Sequence, residues 1–228
     1  EIAQIYTIAL GFTAEKAICI PIYSQGWHKY WTHDEWFKIH DLLVTLFKEN
    51  PLLFQNAKYD MRVLRANDIW VSSPDITDIM LLHHSIHPEL PHDLGFIVSI
   101  YGQTPYWKDI DWKEPIQNRN QKELRIYNCR DAVTLHQVLP PMLEDSLEDM
   151  RNHRVYKDIT IKLVYPIIKM EERGILLSRS RLTKLAGEWE QEKDDLTKIL
   201  KASASLCPAF NLESKMDMAL LLYGMVQR

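Results

Sequence analysis

The chain has 228 residues and a mass of 26.9 kDa, a length that allows one large domain or one domain with an appendage. Hydrophobic residues make up 46% of it, enough for a packed core, and no apolar run approaches the roughly 18 residues of a membrane span. With a formal net charge of −4, the chain has no overall positive field that would attract nucleic acid. Nucleic-acid binding is still compatible with this charge, because a protein with an acidic cleft can keep its lysines on the rim.

The N-terminal part alternates between strand and helix patterns. Residues 2–11 and 16–23 alternate around a short loop, which predicts an antiparallel hairpin. Residues 33–50 repeat apolar side chains at helical spacing, with Thr32 as the predicted N-cap and Pro51 beyond the end. A strand, a helix and a short edge strand are predicted next, at residues 52–56, 58–66 and 70–73.

The following segment predicts a helix rich in histidine. Asp78 precedes IMLLHHSIH, and its interpretation as an N-cap is favoured over that as a metal ligand. His83, His84 and His87 could share a face as metal ligands, but no carboxylate or cysteine stands at matching spacing in a second element. A partly buried helix is therefore the favoured interpretation.

A further helix, capped by residues 91–93 and extending through Tyr101, leads into a polar loop at residues 102–120. Aromatic and basic side chains are interleaved in this loop, at Tyr106, Trp107, Lys108, Trp112 and Lys113. This composition suits stacking on unpaired bases beside phosphates. Packing of the rings against the domain surface is the alternative, and both remain open.

The C-terminal part is predicted to be helical. Helices are expected at residues 121–138, at 143–173 with a kink at Pro166, and from Ser178 or Ser180 to about residue 204. Pro140 and Pro141 mark a boundary. We therefore predict two domains, at residues 1–140 and 141–228.

Two short motifs carry acids that leave apolar scaffolds. In FQNAKYD, residues 54–60, a buried strand delivers Asp60 to the start of a helix. In YNCRD, Tyr127 and Asp131 stand at i and i+4, so a phenol and a carboxylate share one helix face. Two such acids can meet at a divalent cation, and the tyrosine can aim a water at a phosphorus atom. Alternatively, Asp60 is a helix N-cap and the Tyr127/Asp131 pair a solvated face.

These motifs resemble the second and third exonuclease motifs of the 3′–5′ proofreading domain of family A DNA polymerases, the bacterial DNA polymerase I type. The stretch TDIMLLHHSIHPELPHDLGFIVSIYG is similar to the family's phage-type members, and MEERGILLS and FNLES resemble its junction with the polymerase and the start of its thumb. The resemblance implies an α/β fold, a ribonuclease H-like mixed sheet flanked by helices, followed by an all-α extension.

The resemblance also implies roles for particular residues. Asp131 would bind the first of two Mg²⁺ or Mn²⁺ ions together with an Asp-x-Glu, Asp60 would help to bind the second, and Tyr127 would orient the nucleophilic water. DNA-binding roles are expected for Asn56, Tyr59, Tyr106, Trp107 and Lys108. The implied partner is the 3′ end of single-stranded DNA or a primer-template. The protein is expected to bind it as a monomer and not to associate with a membrane. The scattered Cys19, Cys129 and Cys207 favour reduced thiols, as in the cytoplasm of a bacterium or phage-infected cell.

One departure from the family pattern affects the expected activity. The family's Asp-x-Glu, on its first central strand, should precede EIAQIYTIALGF, and the chain has no Asp-x-Glu before Asp34. We therefore expect an interior fragment, cut at both ends, with little activity of its own, from a parent protein that retains proofreading.

Three alternatives remain open. A ribonuclease D-like RNA exonuclease has the same acid pattern, although MEERGI and FNLES favour the polymerase. An exonuclease fold kept as a catalytically silent, DNA-binding scaffold is the second alternative. The third is a generic α/β binding domain with chance motifs.

Overall fold

The computed structural model describes residues 4–108, 120–203, 211 and 213–223. It is a mixed α/β structure that is mostly helical, which confirms the coarse fold class. Its elements, in chain order, are β1 (Thr7–Gly11), β2 (Ala17–Pro21), α1 (His33–Glu49), β3 (Leu52–Phe54), α2 (Ala57–Ala66), β4 (Ile76–Asp78), α3 (Ile79–Ile86), α4 (Leu94–Tyr101), α5 (Gln121–Glu148), α6 (Met150–Val155), α7 (Val164–Arg173), α8 (Arg179–Ser203) and α9 (Lys215–Tyr223).

The strands form two separate pairs. β1 and β2 are antiparallel, with Ala9 opposite Cys19, so the predicted hairpin is confirmed. β3 and β4 are parallel, with Phe54 opposite Asp78. Because the carboxyl ends of parallel strands lie together, the turn into α2 and the turn into α3 meet at one edge.

The predicted edge strand at residues 70–73 is wrong, because the strand after α2 is β4. Ser73 is almost fully buried, and its hydroxyl donates to the backbone carbonyls of Asn50 at 2.7 Å and Asp75 at 3.0 Å. These bonds hold the segment as a loop that delivers Ile76, rather than residue 70, to the partner strand β3.

The predicted N-terminal caps are confirmed. The Thr32 hydroxyl accepts the backbone N–H of Glu35, whose carboxylate in turn accepts the backbone N–H of Thr32, a reciprocal capping box at the start of α1. Asp93 caps α4 through the backbone N–H of Phe96 at 3.0 Å. Ser178 accepts the backbone N–H of Arg181 at 3.4 Å at the start of α8.

Helix α5 runs on through Pro140 and Pro141, so the predicted helix end before them is wrong. Val138 and Met142, one turn apart, are both fully buried, and their packing keeps the helix direction across the two missing N–H groups. After α6 a π-turn, Tyr156–Thr160, and a 3₁₀ turn, Ile161–Leu163, precede α7. This disturbance ends three residues before Pro166, where a proline removes an i→i−4 bond.

Two compact units divide the chain, Glu1–Arg173 and Gly174–Arg228. The first unit holds a large core between α2, α3, α4, α5 and the helices up to α7, and a smaller core beneath the hairpin and α1. Residues 141–173, which the sequence assigned to the second domain, pack within this first unit. The domain boundary between residues 140 and 141 stays a prediction. Among the described helices, none combines the length and apolar character needed to cross a membrane.

Candidate functional site around Asp131

One face of helix α5 packs on the β1–β2 hairpin. An ideal Cβ at Gly11 would lie 2.6 Å from the carbonyl oxygen of Ala132, so the strand approaches the helix backbone directly. Asn128 donates a hydrogen bond to the Thr7 hydroxyl, and a ring nitrogen of His136 lies 3.0 Å from the Gly11 carbonyl oxygen. These contacts determine which way Tyr127 and Asp131 face.

The Asp131 carboxylate is already bound by two neighbouring side chains. The Lys108 ammonium lies 2.7 Å from each of its two oxygens. The Trp107 indole N–H donates to one of the same oxygens at 2.7 Å. The side chains of Lys108 and Asp131 are 20% and 30% exposed, so the ion pair is only partly screened by water.

Tyr127 lies against the same lysine. Its side chain is buried, and the Lys108 ammonium lies 4.7 Å from the centre of its ring. Burial raises the pKa of the Tyr127 phenol, a hydrogen bond with Lys108 lowers it, and the Asp131 charge raises it again. The net direction is upward, so the phenol keeps its proton at neutral pH and can serve as a donor.

Asp60 occupies a different electrostatic environment. Burial, with the nearby charge of Asp78, raises the pKa of Asp60 to about 7. Asp60 is therefore protonated in a large part of the molecules at neutral pH. It is not the cap of α2, since that position belongs to Asn56, whose backbone is left-handed with φ 64°.

Asp78 does more than the N-capping predicted from the sequence. As predicted, it caps α3, accepting the backbone N–H groups of Met80 at 2.8 Å and Leu81 at 3.3 Å. The same carboxylate also accepts the N–H groups of Asn56 at 3.1 Å and Ala57 at 2.7 Å. The local sequence does not indicate this second role, because it arises only when the parallel pairing of β3 and β4 brings the two turns together.

Of the five expected DNA-binding residues, Asn56 is the N-cap residue of α2, and the other four fall into two groups. The rings of Tyr59 and Tyr106 are 62% and 65% exposed and could stack on bases. Trp107 and Lys108 are instead engaged with Asp131. Trp112, Lys113 and Cys207 lie outside the described residues, as do Phe210 and Leu212 of the FNLES motif.

The described acids do not fit a pair of divalent cations as they stand. Both oxygens of Asp131 accept hydrogen bonds from Lys108, and the Asp60 carboxyl is protonated in about half of the molecules near pH 7. Asp78 uses its oxygens on four backbone N–H groups. No group of three or more His, Cys, Asp or Glu side chains that could hold a metal occurs in the described part of the chain.

The histidines of α3 and the residue after it contact His92, which lies just before α4, and Tyr101, which ends α4. His92 links two of them, with ring nitrogens 2.8 Å from His83 and 3.0 Å from His84. The His87 ring lies 3.0 Å from the Tyr101 hydroxyl, which donates to Asp145. Burial and the neighbouring histidines lower the pKa of His83 to about 4, so this fully buried ring is neutral.

In the comparisons with known proteins, neither a protein-family model nor a curated protein matched the chain.

Proposed function

We propose that the chain is part of a 3′–5′ exonuclease domain of the family A DNA polymerase type, with a ribonuclease H-like fold, that acts on the 3′ end of single-stranded DNA. The sequence motifs supply the assignment. The parallel β3–β4 pair, whose ends carry Asn56 and Asp78 at one edge, is compatible with such a fold.

One observation carries the proposal. Tyr127 and Asp131 of the third motif, one turn apart on α5, gather with Trp107 and Lys108 from the aromatic loop. Two segments whose sequences point separately to acid chemistry and to nucleotide stacking thus supply one cluster. A chance occurrence of the YNCRD motif would not require that meeting.

The side chains of this cluster suit a nucleotide terminus. The Tyr106 ring is exposed beside the cluster and offers a face for a terminal base. The protonated phenol of Tyr127 can donate a hydrogen bond to a phosphate oxygen or a water. The Lys108 ammonium, 2.7 Å from Asp131, adds a positive charge that can attract a phosphate group at this cluster.

The ion pair between Lys108 and Asp131 favours a second candidate, a catalytically silent domain that binds single-stranded DNA. A carboxylate whose two oxygens are held by an ammonium is a poor ligand for a further cation. In this candidate the cluster binds the strand and leaves its phosphodiester bonds intact.

The test is degradation and binding of a 5′-labelled single-stranded DNA, with Mg²⁺ or Mn²⁺. The 228-residue chain is compared with the product of its complete reading frame. We expect that product to shorten the strand from its 3′ end, Asp131→Ala to reduce the rate by about 100-fold or more, and Tyr127→Phe to reduce it less. Glu144→Ala, an exposed acid on the same helix, is the matched control and should leave the rate unchanged.

The outcomes separate the candidates. Binding of DNA without degradation by either chain would support the silent domain. Preferential degradation of RNA would support the ribonuclease D-like alternative. If neither chain binds or degrades a single strand, the assignment to this class of protein is wrong.

A further inference from the structure

The Lys108 ammonium sits where a metal ion would bind a carboxylate in bidentate fashion. Its nitrogen is equidistant, at 2.7 Å, from the two oxygens of Asp131. Such a position lies between the two lone-pair directions that a hard cation also uses. An ammonium and a divalent cation cannot occupy it together, because they would overlap and repel one another.

Two aromatic rings complete a cage around this ammonium. The centre of the Tyr127 ring lies 4.7 Å from the Lys108 nitrogen, and that of the Trp107 ring lies 5.2 Å from it. Both distances are within the range of cation–π attraction. The Trp107 indole N–H also holds Asp131 at 2.7 Å, so the carboxylate is oriented as well as neutralised.

The lysine stem is held as well as its charged end. An ideal Cβ at Gly95 of α4 would stand 3.5 Å from Cγ of Lys108 and 3.4 Å from Cε2 of Tyr106. The stem therefore passes over a helix position that has no side chain. With its side chain only 20% exposed, Lys108 is placed by packing and is not a loose surface lysine.

We propose that Lys108 is the resident cation of Asp131, and that it excludes a divalent cation from this carboxylate until it leaves the cage. The cage of Asp131, Trp107 and Tyr127 is therefore a cation site that the chain fills with its own side chain. The meaning of this for catalysis rests on the proposed function, whereas the competition between the two cations does not.

The first test measures the binding of Mn²⁺ alone to the chain. The electron paramagnetic resonance signal of the free ion reports how much Mn²⁺ stays unbound. Lys108→Met keeps the length of the stem and removes the charge. We expect it to bind Mn²⁺ at least about tenfold more tightly than the unmodified chain, because the competing charge is gone. The double variant Lys108→Met with Asp131→Asn should return to the unmodified affinity.

Two controls define the comparison. Lys122→Met removes an exposed lysine near the start of the same α5 helix and should leave Mn²⁺ affinity unchanged. Lys108→Arg keeps a cation in the cage, so its affinity for Mn²⁺ should stay as weak as that of the unmodified chain. The proposal is overturned if Lys108→Met binds Mn²⁺ no more tightly than the unmodified chain, including the case in which neither binds it.

A second test uses the unmodified chain and so does not depend on the folding of a variant. Lysines are acetylated briefly and the modified positions are read by mass spectrometry. We expect Lys108 to react at least about tenfold more slowly than Lys122, since its amine is held by Asp131. Equal rates for the two lysines would contradict the proposal. Neither test involves a nucleic acid, so a failure of the exonuclease assignment would leave both results standing.

Discussion

The carboxylate of Asp78 accepts a hydrogen bond of 2.7 Å from the backbone N–H of Ala57, across 21 positions of sequence. One buried acid thereby closes the first turn of α2 as well as that of its own helix, α3. Asp60 lies in α2, so this carboxylate also determines where the second-motif acid stands and how easily that acid ionises.

We expect Asp78→Ala to destabilise the first unit by about 3 kcal/mol or more, because four backbone N–H groups lose their acceptor at a buried site. The matched control is Asp93→Ala, which removes the exposed cap of α4 and should cost about 1 kcal/mol. Urea unfolding followed by circular dichroism measures both. Equal losses in the two variants would show that Asp78 acts as a simple cap.

Asp60 should make stability decrease as the pH rises. Its pKa is about 7 in the folded chain and near 4 in an unfolded one, so unfolding releases a proton between these values. The contribution of Asp60 to the free energy of unfolding should therefore fall between about pH 4 and pH 7, by at most about 4 kcal/mol, and stay low above pH 7. In Asp60→Asn this loss should be missing.

The Asp60 measurement is urea unfolding of the unmodified chain and Asp60→Asn at several pH values across that window. Asp41→Asn is the control, since the Asp41 side chain is 81% exposed. A difference between Asp60→Asn and the unmodified chain that does not change with pH would contradict the raised pKa.

His83 should act in the opposite direction over a similar range. Its pKa is lowered to about 4 by burial and by the neighbouring His92 and His87, while Asp145 opposes this shift. The unfolded chain takes up a proton near pH 6.5 that the folded chain refuses, so stability should fall as the pH drops from about 6.5 toward 4.

In His83→Asn, whose amide can still reach His92, this acid-side loss should be smaller. Since Asp60 and His83 oppose each other, the unmodified chain should vary less with pH than either single variant. Urea unfolding at matched pH values, with the exposed His84→Asn as the control, measures this. The expectation fails if His83→Asn and His84→Asn show the same pH dependence.

Gly11 should resist replacement even by alanine. A Cβ there would lie 2.6 Å from the carbonyl oxygen and 2.9 Å from the carbonyl carbon of Ala132, and neither backbone atom can move alone. We expect Gly11→Ala to push α5 away from β1 and to cost about 1–3 kcal/mol, measured by thermal unfolding. Gly187→Ala, whose Cβ would meet nothing within 4 Å, should cause no loss. Equal stability of the two variants would exclude a close approach.

Much of the local structure could be predicted because its determinants lie close together in sequence. Thr32 and Glu35 form their capping box over three positions, and Asp93 reaches Phe96 over the same distance. The alternation that predicted the β1–β2 hairpin also needs only a short loop to take effect. The edge strand predicted at residues 70–73 failed because strand propensity does not specify which residues meet β3.

The sequence by itself determined the hairpin, most helix starts and the positions of Asp60, Tyr127 and Asp131, since periodicity and capping act over a few residues. Only the tertiary structure decided the state of those acids. Lys108 reaches Asp131 across 23 positions, and Asp78 lies near Asp60 because β3 and β4 pair in parallel. Charge, burial and pKa depend on which distant side chains the packed core brings together. This is why the Asp131 carboxylate is paired with a lysine, whereas the pKa of Asp60 is raised to about 7.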